Sequence, residues 1–336
     1  MTPRDIILAN LNHQDAPRPG LTFDAGARIN DFHEVRLVPA GWTQRRWVEG
    51  PLEFYDDEWG NVWSRLKDGC FGGEIHHPAL LDWSALDSLR MPTFDHAGNV
   101  ARIKRLFADS DGSRFRIANI TGWVFTNSRY LRKLENYLED LGSNPDAIEK
   151  LHEMVAAVYE AKIRIAGEAG ADGITYAEDF GTQTGPLVGP KMFRRFYKPI
   201  YTRLMGLAHS YGMKVLMHSC GQNRMLLEDL IECGVDCFQF DQPTIYDYAD
   251  LSTLFRRHKV TLWSPVDIQK VLPTGDRAFI ESEARRMCDA FANCLICKNY
   301  GDLAGIGVKP EWDRWAYDEI IRHACPGERP AGVCTG

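Results

Sequence analysis

The 336-residue sequence predicts an α/β fold, a (β/α)8 TIM barrel, on three observations. From about residue 98 onward, short apolar segments alternate with longer amphipathic ones, which is typical of a parallel sheet with helices between its strands. The segment GLTFD at 20–24 has the composition of a first barrel strand. No glycine-rich phosphate-binding turn follows an early strand, which disfavours an open, doubly wound sheet.

The predicted elements follow in a regular order after the first strand. Further strand candidates lie at 114–122, 172–179, 213–219, 235–241, 260–265 and 293–299. Helical patterns lie at about 128–141, 146–169, 190–211, 223–232, 246–257, 276–291 and 312–322. The stretch from about 25 to 97 is rich in aromatic and turn residues and has little helical periodicity, which predicts an irregular insertion or cap over the barrel mouth. We therefore expect one barrel domain over 1–336 with this cap.

Composition and charge exclude several classes of protein. Hydrophobic residues make up 44% and charged residues 25%, which is typical of globular chains and excludes disordered or fibrous architectures. The net charge of −7 and the lack of a Lys/Arg block argue against nucleic acid or a membrane surface as partner. No apolar run is long enough to span a bilayer and no signal peptide is recognisable, so we expect a cytoplasmic protein. Nine dispersed cysteines favour thiols or metal ligands over disulfides.

Polar residues concentrate where the predicted strands end. In a parallel barrel, the carboxyl ends of the strands surround the functional site. The residues at these ends are Asn119, Thr121, Glu178, Asp179, His218, Cys220, Gln239, Asp241, Asp267, Cys297 and Asn299. Any one of them is explained equally well as a strand-to-loop boundary, but together they predict a site with metal-binding or acid/base chemistry.

The segment LMHSCGQN carries the sharpest signal. Because side chains alternate along a strand, His218 and Cys220 point the same way, and imidazole with thiolate is a ligand pair that zinc prefers. A late-strand cysteine is the expected third ligand, with Cys297 favoured and Cys294 as the alternative. Glu178 or Asp179 is expected either to complete the coordination sphere with an oxygen or to serve as the catalytic acid/base.

The run from Asp179 to Pro243 resembles the uroporphyrinogen decarboxylase superfamily, and specifically its corrinoid-linked methyltransferase branch. The opening MTPRDIILANLNHQDAPRPG, the segment FYDDEWGNVW and the later WSPVDIQKVLPTGD are similar to it too, so the resemblance covers nearly the whole chain. It implies a TIM barrel, a cytoplasmic location and a zinc site at His218, Cys220 and Cys297. It also implies a corrinoid (cobalamin) cofactor, free or carried by a partner protein.

Two departures from the family pattern refine this expectation. The decarboxylases carry an arginine motif for the carboxylates of their substrate, whereas this region reads DAGARINDF with only Arg28, so porphyrinogen decarboxylation is disfavoured. The flank of Cys297 also lacks the glycine-rich, cysteine-containing loop of the methanogen enzymes. Tyr300 is therefore an alternative to Cys297 for the position that aligns with the third metal ligand of those enzymes.

The resulting hypothesis is zinc-dependent methyl transfer between a small methylated substrate and a corrinoid. We favour O-demethylation of a methoxylated aromatic compound, because aromatic residues are expected to line an apolar pocket: Phe54, Tyr55, Trp59, Trp63, Phe71 and Trp123. Expected substrate-binding residues are Asn119, Trp123, Tyr176, Gln183, Gln239 and Asp241. The alternatives are a metal-independent decarboxylase, a methylcorrinoid-to-thiol methyltransferase, and a non-enzymatic corrinoid-binding or assembly partner.

Overall fold

The computed structural model describes residues 1–24, 28–67, 72–109 and 112–327. Its strands are β1 (Gly20–Thr22), β2 (Phe32–Arg36), β3 (Arg46–Glu49), β4 (Leu52–Asp56), β5 (Val62–Leu66), β6 (Glu74–His77), β7 (Phe115–Asn119), β8 (Gly173–Ala177), β9 (Lys214–His218), β10 (Cys237–Gln239), β11 (Thr261–Ser264) and β12 (Leu295–Lys298). Its helices are α1 (Pro3–Leu11), α2 (His96–Ala108), α3 (Val124–Arg132), α4 (Leu134–Ser143), α5 (Pro145–Glu168), α6 (Pro190–Phe196), α7 (Lys198–Ser210), α8 (Leu227–Cys233), α9 (Tyr248–His258), α10 (Arg277–Ala290) and α11 (Pro310–Ala324).

Eight parallel strands form a nearly closed barrel in the order β1, β12, β11, β10, β9, β8, β7, β2. The ends of the sheet meet where the Asp31 N–H donates to the Leu21 carbonyl at 2.7 Å. The predicted TIM barrel is confirmed, and each of the seven strand candidates contains one barrel strand. The single helix expected at 128–141 is divided into α3 and α4 at Lys133, whose φ of 64° is incompatible with a continuous helix.

The eighth barrel strand, β2, lies within the stretch for which the sequence predicts an irregular insertion. Its sequence FHEVR has no apolar run. Glu34 and Arg36 point into the open end of the barrel, and Val35 packs outward. Further along this stretch, β3, β4, β5 and β6 form an antiparallel sheet of four strands. This sheet packs beside α3, with the rings of Trp63 and Tyr130 centred 4.7 Å apart.

Helix α1 closes the amino-terminal end of the barrel. Thr2 and Asp5 cap the helix reciprocally, and Pro3 occupies its first turn. Ile7 and Leu11 pack into the barrel interior. Gly20 leaves room for this plug, since a Cβ there would lie 2.4 Å from the Ile7 side chain. The opposite end, where the strands finish, is left open. No helix among the described residues has both the length and the apolar character to cross a bilayer.

Candidate metal centre

Three side chains with metal-binding atoms converge where β8 and β9 end. His218 Nε2 lies 3.4 Å from Cys220 Sγ and 3.4 Å from Asp179 Oδ1. The Cys220 N–H donates to Asp179 Oδ1 at 2.8 Å, which fixes the carboxylate against the β9 loop. Within the described part of the chain this is the one group of three or more His, Cys, Asp or Glu side chains close enough to hold an ion.

Hydrogen bonds fix the tautomer of His218. Asp241 can only accept when ionised, so the side-chain amide of Gln239 donates to it at 2.7 Å. The Gln239 carbonyl oxygen therefore faces His218 and accepts from Nδ1–H. In the neutral imidazole Nε2 then carries the lone pair, and it lies nearest Cys220 and Asp179. Histidines that bind metals commonly donate their second ring N–H to such an acceptor.

The geometry and chemistry of this group fit zinc. Zinc bond lengths of about 2.0 Å to nitrogen and about 2.3 Å to sulfur, at tetrahedral angles, separate ligand atoms by about 3.5 Å. The separations of 3.4 Å at His218 Nε2 match that value. Burial, with the charges of Asp179 and Asp241, raises the pKa of the Cys220 thiol. A cation is therefore needed to hold Cys220 as a thiolate at neutral pH.

Cys297, the expected third ligand, lies on the other face of its strand. On β12 the neighbours Ile296 and Lys298 point into the barrel, whereas Cys297 packs among the residues under the helices, against Cys288. Cys294 packs in the same outer layer. The structure thus brings neither cysteine to His218 and Cys220, and Asp179 is the third side chain of the group.

Glu178 is completely buried and does not reach the open end of the barrel. Its carboxylate accepts the N–H groups of Phe125 and Thr126, each at 2.8 Å, and the hydroxyl of Tyr201. These are free N–H groups in the first turn of α3, so Glu178 caps that helix from a neighbouring strand. Burial raises its pKa to about 8, against the opposing effect of the hydrogen bonds. Glu178, one of the two residues expected to act as an oxygen ligand or as the acid/base, therefore holds the first turn of α3.

The open end of the barrel contains a cavity of about 430 Å³, here called the mouth cavity. His218 and Gln239 form part of its wall. Phe32 and Trp263 contribute aromatic surface, their ring centres 5.2 Å apart. Four charged side chains also line it: Asp24, Glu34, Arg36 and Lys298. A cavity of this size suits a small molecule, and its charges suit a polar one.

Comparison with known proteins identifies the family. The family model described as uroporphyrinogen decarboxylase (URO-D) matches residues 69–298. The chain belongs to this family. No curated protein gives a significant match to this URO-D family member.

Comparison with solved structures shows which folds resemble that of this URO-D family member. A methyltransferase from Methanosarcina mazei superposes with a TM-score of 0.62 at 15% identity, over 79% of this chain and 76% of that one. A D-psicose 3-epimerase from Clostridium cellulolyticum H10 gives a TM-score of 0.42 at 12% identity, over 72% and 87% of the two chains. At 15% identity the likeness to the methyltransferase extends to the fold alone.

The expected substrate-binding residues divide into three groups. Asn119 and Gln239 line the mouth cavity, and Asp241 lies behind Gln239. Gln183 lines a neighbouring cleft beside Cys220. Tyr176 also contributes to the lining of the mouth cavity, and its ring stacks at 4.1 Å on that of Trp123, whose side chain is fully buried.

The aromatic residues of the amino-terminal stretch do not form the expected apolar pocket. Phe54, Tyr55 and Trp63 belong to the antiparallel sheet, and Trp59 packs near Tyr159. None of the four lines the mouth cavity. Phe71 lies outside the described residues.

Sequence reasoning missed the charged wall of the mouth cavity. Glu34 and Arg36 lie on the unpredicted strand β2, where their alternation with Val35 was the available signal. Lys298 directly follows Cys297 and takes the inward direction that we had expected for the cysteine. Arg28, the one arginine of DAGARINDF, pairs with Asp313 on α11 and lies over the Tyr317 ring, so it is not available to bind a substrate carboxylate.

Proposed function

We propose that this URO-D family member is a zinc-dependent methyltransferase that moves a methyl group between a small methylated substrate and a corrinoid. The observation that carries the proposal is the group formed by His218, Cys220 and Asp179, in which the imidazole lone pair is directed at the other two ligands. Three protein ligands with a fourth position left for substrate are the pattern of catalytic zinc sites.

His218, Cys220 and Asp179 would hold the metal at the edge of the mouth cavity. Bound there, zinc supplies Lewis acidity, which turns the substrate heteroatom into a better leaving group or, in the reverse direction, a better nucleophile. Gln239 keeps the imidazole oriented, and Asp241 keeps Gln239 oriented. Lys298 lies 3.4 Å from Asp241 and offsets its buried charge.

The mouth cavity indicates a polar methylated substrate. Asp24, Glu34, Arg36 and Lys298 offer hydrogen bonds and charges, while Phe32 and Trp263 offer aromatic surface for one part of the molecule. The preference for a methoxylated aromatic compound rested on aromatic residues that lie elsewhere, so O-demethylation stands as one assay among methylated oxygen, nitrogen and sulfur compounds. A corrinoid protein is the proposed partner, on the similarity of the sequence to the corrinoid-linked branch.

The decisive experiment measures zinc in the full chain by elemental analysis after purification without chelators. We expect about one zinc per chain in the native protein and loss of it in His218→Ala and Cys220→Ala, because each removes a direct ligand. Asp179→Ala should weaken zinc binding, whereas Cys297→Ala should keep the metal. Circular dichroism of each variant controls for folding.

Two results would contradict the proposal. A native protein without zinc would favour the metal-independent decarboxylase, in which Arg36 and Lys298 would serve a carboxylated substrate. A folded Cys297→Ala variant that loses zinc, beside an Asp179→Ala variant that keeps it, would restore Cys297 as a ligand.

A further inference from the structure

A second cavity adjoins the metal-binding group. It has a volume of about 320 Å³ and is lined by the loops that follow β8, β9, β10 and β11. Its lining includes Cys220, whereas the lining of the mouth cavity includes His218. Because Cys220 Sγ and His218 Nε2 are 3.4 Å apart, an ion held between them borders both cavities.

The two cavities differ in chemistry. The polar side chains of the second cavity are uncharged amides and a hydroxyl, contributed by Thr182, Gln183, Gln242 and Gln269, and we call it the amide cleft. No Asp, Glu, Lys or Arg is among the described residues that line it. Primary amides both donate and accept hydrogen bonds, whereas a buried charge needs an opposite charge as partner. The amide cleft therefore favours a neutral ligand that itself carries amide groups.

The amide cleft is preformed. Gly181 and Gly221 bring the β8 and β9 loops into direct contact, since a Cβ on either would lie 2.5 Å from backbone atoms of the other loop. The Gln222 N–H donates to the Thr182 carbonyl at 2.8 Å, and the Tyr246 hydroxyl donates to the Gly221 carbonyl at 2.9 Å. A rigid cleft costs a ligand little ordering free energy.

The glutamines of the amide cleft fall into two roles. Gln242 is held close to Cys220, its amide 3.9 Å from the sulfur. Gln183 and Gln269 are exposed, and within the described structure their side-chain amides make no hydrogen bond, so they are available to a ligand. Its volume of about 320 Å³ is enough for side groups of a ligand.

We propose that the amide cleft binds the carboxamide side chains at the rim of the corrin ring. This inference rests on the proposed function, since it assigns the docking site of the methyl-group carrier. A cobalamin-type ring carries neutral primary carboxamides around its rim, which matches the lining of the cleft. The charged mouth cavity is left for the small substrate, so the two reactants reach Cys220 and His218 through separate cavities.

The test compares two probes on the full chain, purified without chelators. Hydroxocobalamin carries rim carboxamides, and cobyrinic acid carries carboxylates at the same positions. We expect quenching of tryptophan fluorescence to report at least ~10-fold tighter binding of hydroxocobalamin. The double variant Gln183→Lys, Gln269→Lys should reverse this preference, because the new ammonium groups attract carboxylates. The double variant Asn12→Lys, Gln14→Lys, at the opposite end of the barrel, adds the same charge; it is the matched control and should leave the preference unchanged.

The outcomes separate this inference from the proposed function. Hydroxocobalamin binding that is absent up to about 1 mM, or that does not change in the double variant, would overturn the assignment of the amide cleft even if zinc is present. Zinc analysis of the same samples tests the metal site independently, since neither Gln183 nor Gln269 touches a proposed ligand. A chain without zinc that still shows the reversal would keep the cleft assignment and reject the zinc mechanism.

Discussion

At the scale of single residues, the side-chain amide of Gln239 orients His218 within the proposed metal-binding group. Gln239 connects His218 to the buried Asp241, and because the carboxylate can only accept, the direction of both hydrogen bonds follows. Cys220 alone does not define the site, because its thiol is stabilised in the neutral form by burial. The lone pair of His218 Nε2 therefore has to be directed at the proposed site before a metal can offset the free energy needed to deprotonate Cys220.

The first residue-level prediction concerns Gln239→Leu. The substitution keeps the side-chain volume but removes the acceptor that fixes Nδ1–H, so we expect zinc affinity to fall about 10–100-fold. Competition with a chromophoric chelator measures the change. Gln183→Leu is the control, because Gln183 lies beside Cys220 in the amide cleft without touching His218. Equal affinity in the two variants would show that Gln239 does not orient the ligand.

At the scale of elements, the contact between the β8 and β9 loops sets the position of two proposed ligands at once. Asp179 lies two residues before Gly181, and Cys220 directly precedes Gly221. Gly221 has a φ of 78°, in the left-handed region, and also faces the Gly181 backbone. Both the conformation and the close approach therefore require glycine.

Gly221→Ala separates these two requirements when it is compared with Gly212→Ala. Gly212 has a φ of 72°, but a Cβ there meets nothing within 4 Å, so only the backbone cost of about 1 kcal/mol is expected. Gly221→Ala should cost about 2 kcal/mol more and weaken zinc binding, because the loops must separate. Urea unfolding and zinc titration of both variants check this; equal losses would mean that the loop contact is unimportant.

Sequence patterns predicted the barrel strands that have a simple apolar pattern. They did not predict the strand whose inward residues are charged. The seven apolar strands were found, but β2 was not, because its inward residues Glu34 and Arg36 serve the mouth cavity instead of a core. Cys297 and Lys298 are adjacent in sequence, and a shift of one residue in strand phase exchanges their faces. The spacing of residues within NCLICKN does not determine which of the two faces the barrel interior. In the structure, the pairing of β12 with β1 and β11 determines it.

At the scale of the whole molecule, the barrel separates stability from function. Helix α1 and the interior residues close one end, and the helices cover the outside, so the open end is free to carry charged side chains and the proposed metal ligands. The sequence predicted which end of the strands carries the site. It did not predict the charged mouth cavity or the uncharged amide cleft, because the first is assembled from barrel strands and the second from loops that are far apart in the chain.

The helix layer makes the stability of the whole molecule depend on pH. His152 is fully buried, hydrogen-bonded to the Tyr137 hydroxyl at 2.7 Å, and burial lowers its pKa to about 4. The unfolded chain binds a proton near pH 6.5 and the folded chain does not, so stability is lost as the pH falls from 6.5 toward 4. Between pH 7 and pH 5 this residue should cost about 2 kcal/mol. His152→Gln, which cannot titrate, should lose correspondingly less in urea unfolding at the two pH values; equal losses would place the acid sensitivity in other groups.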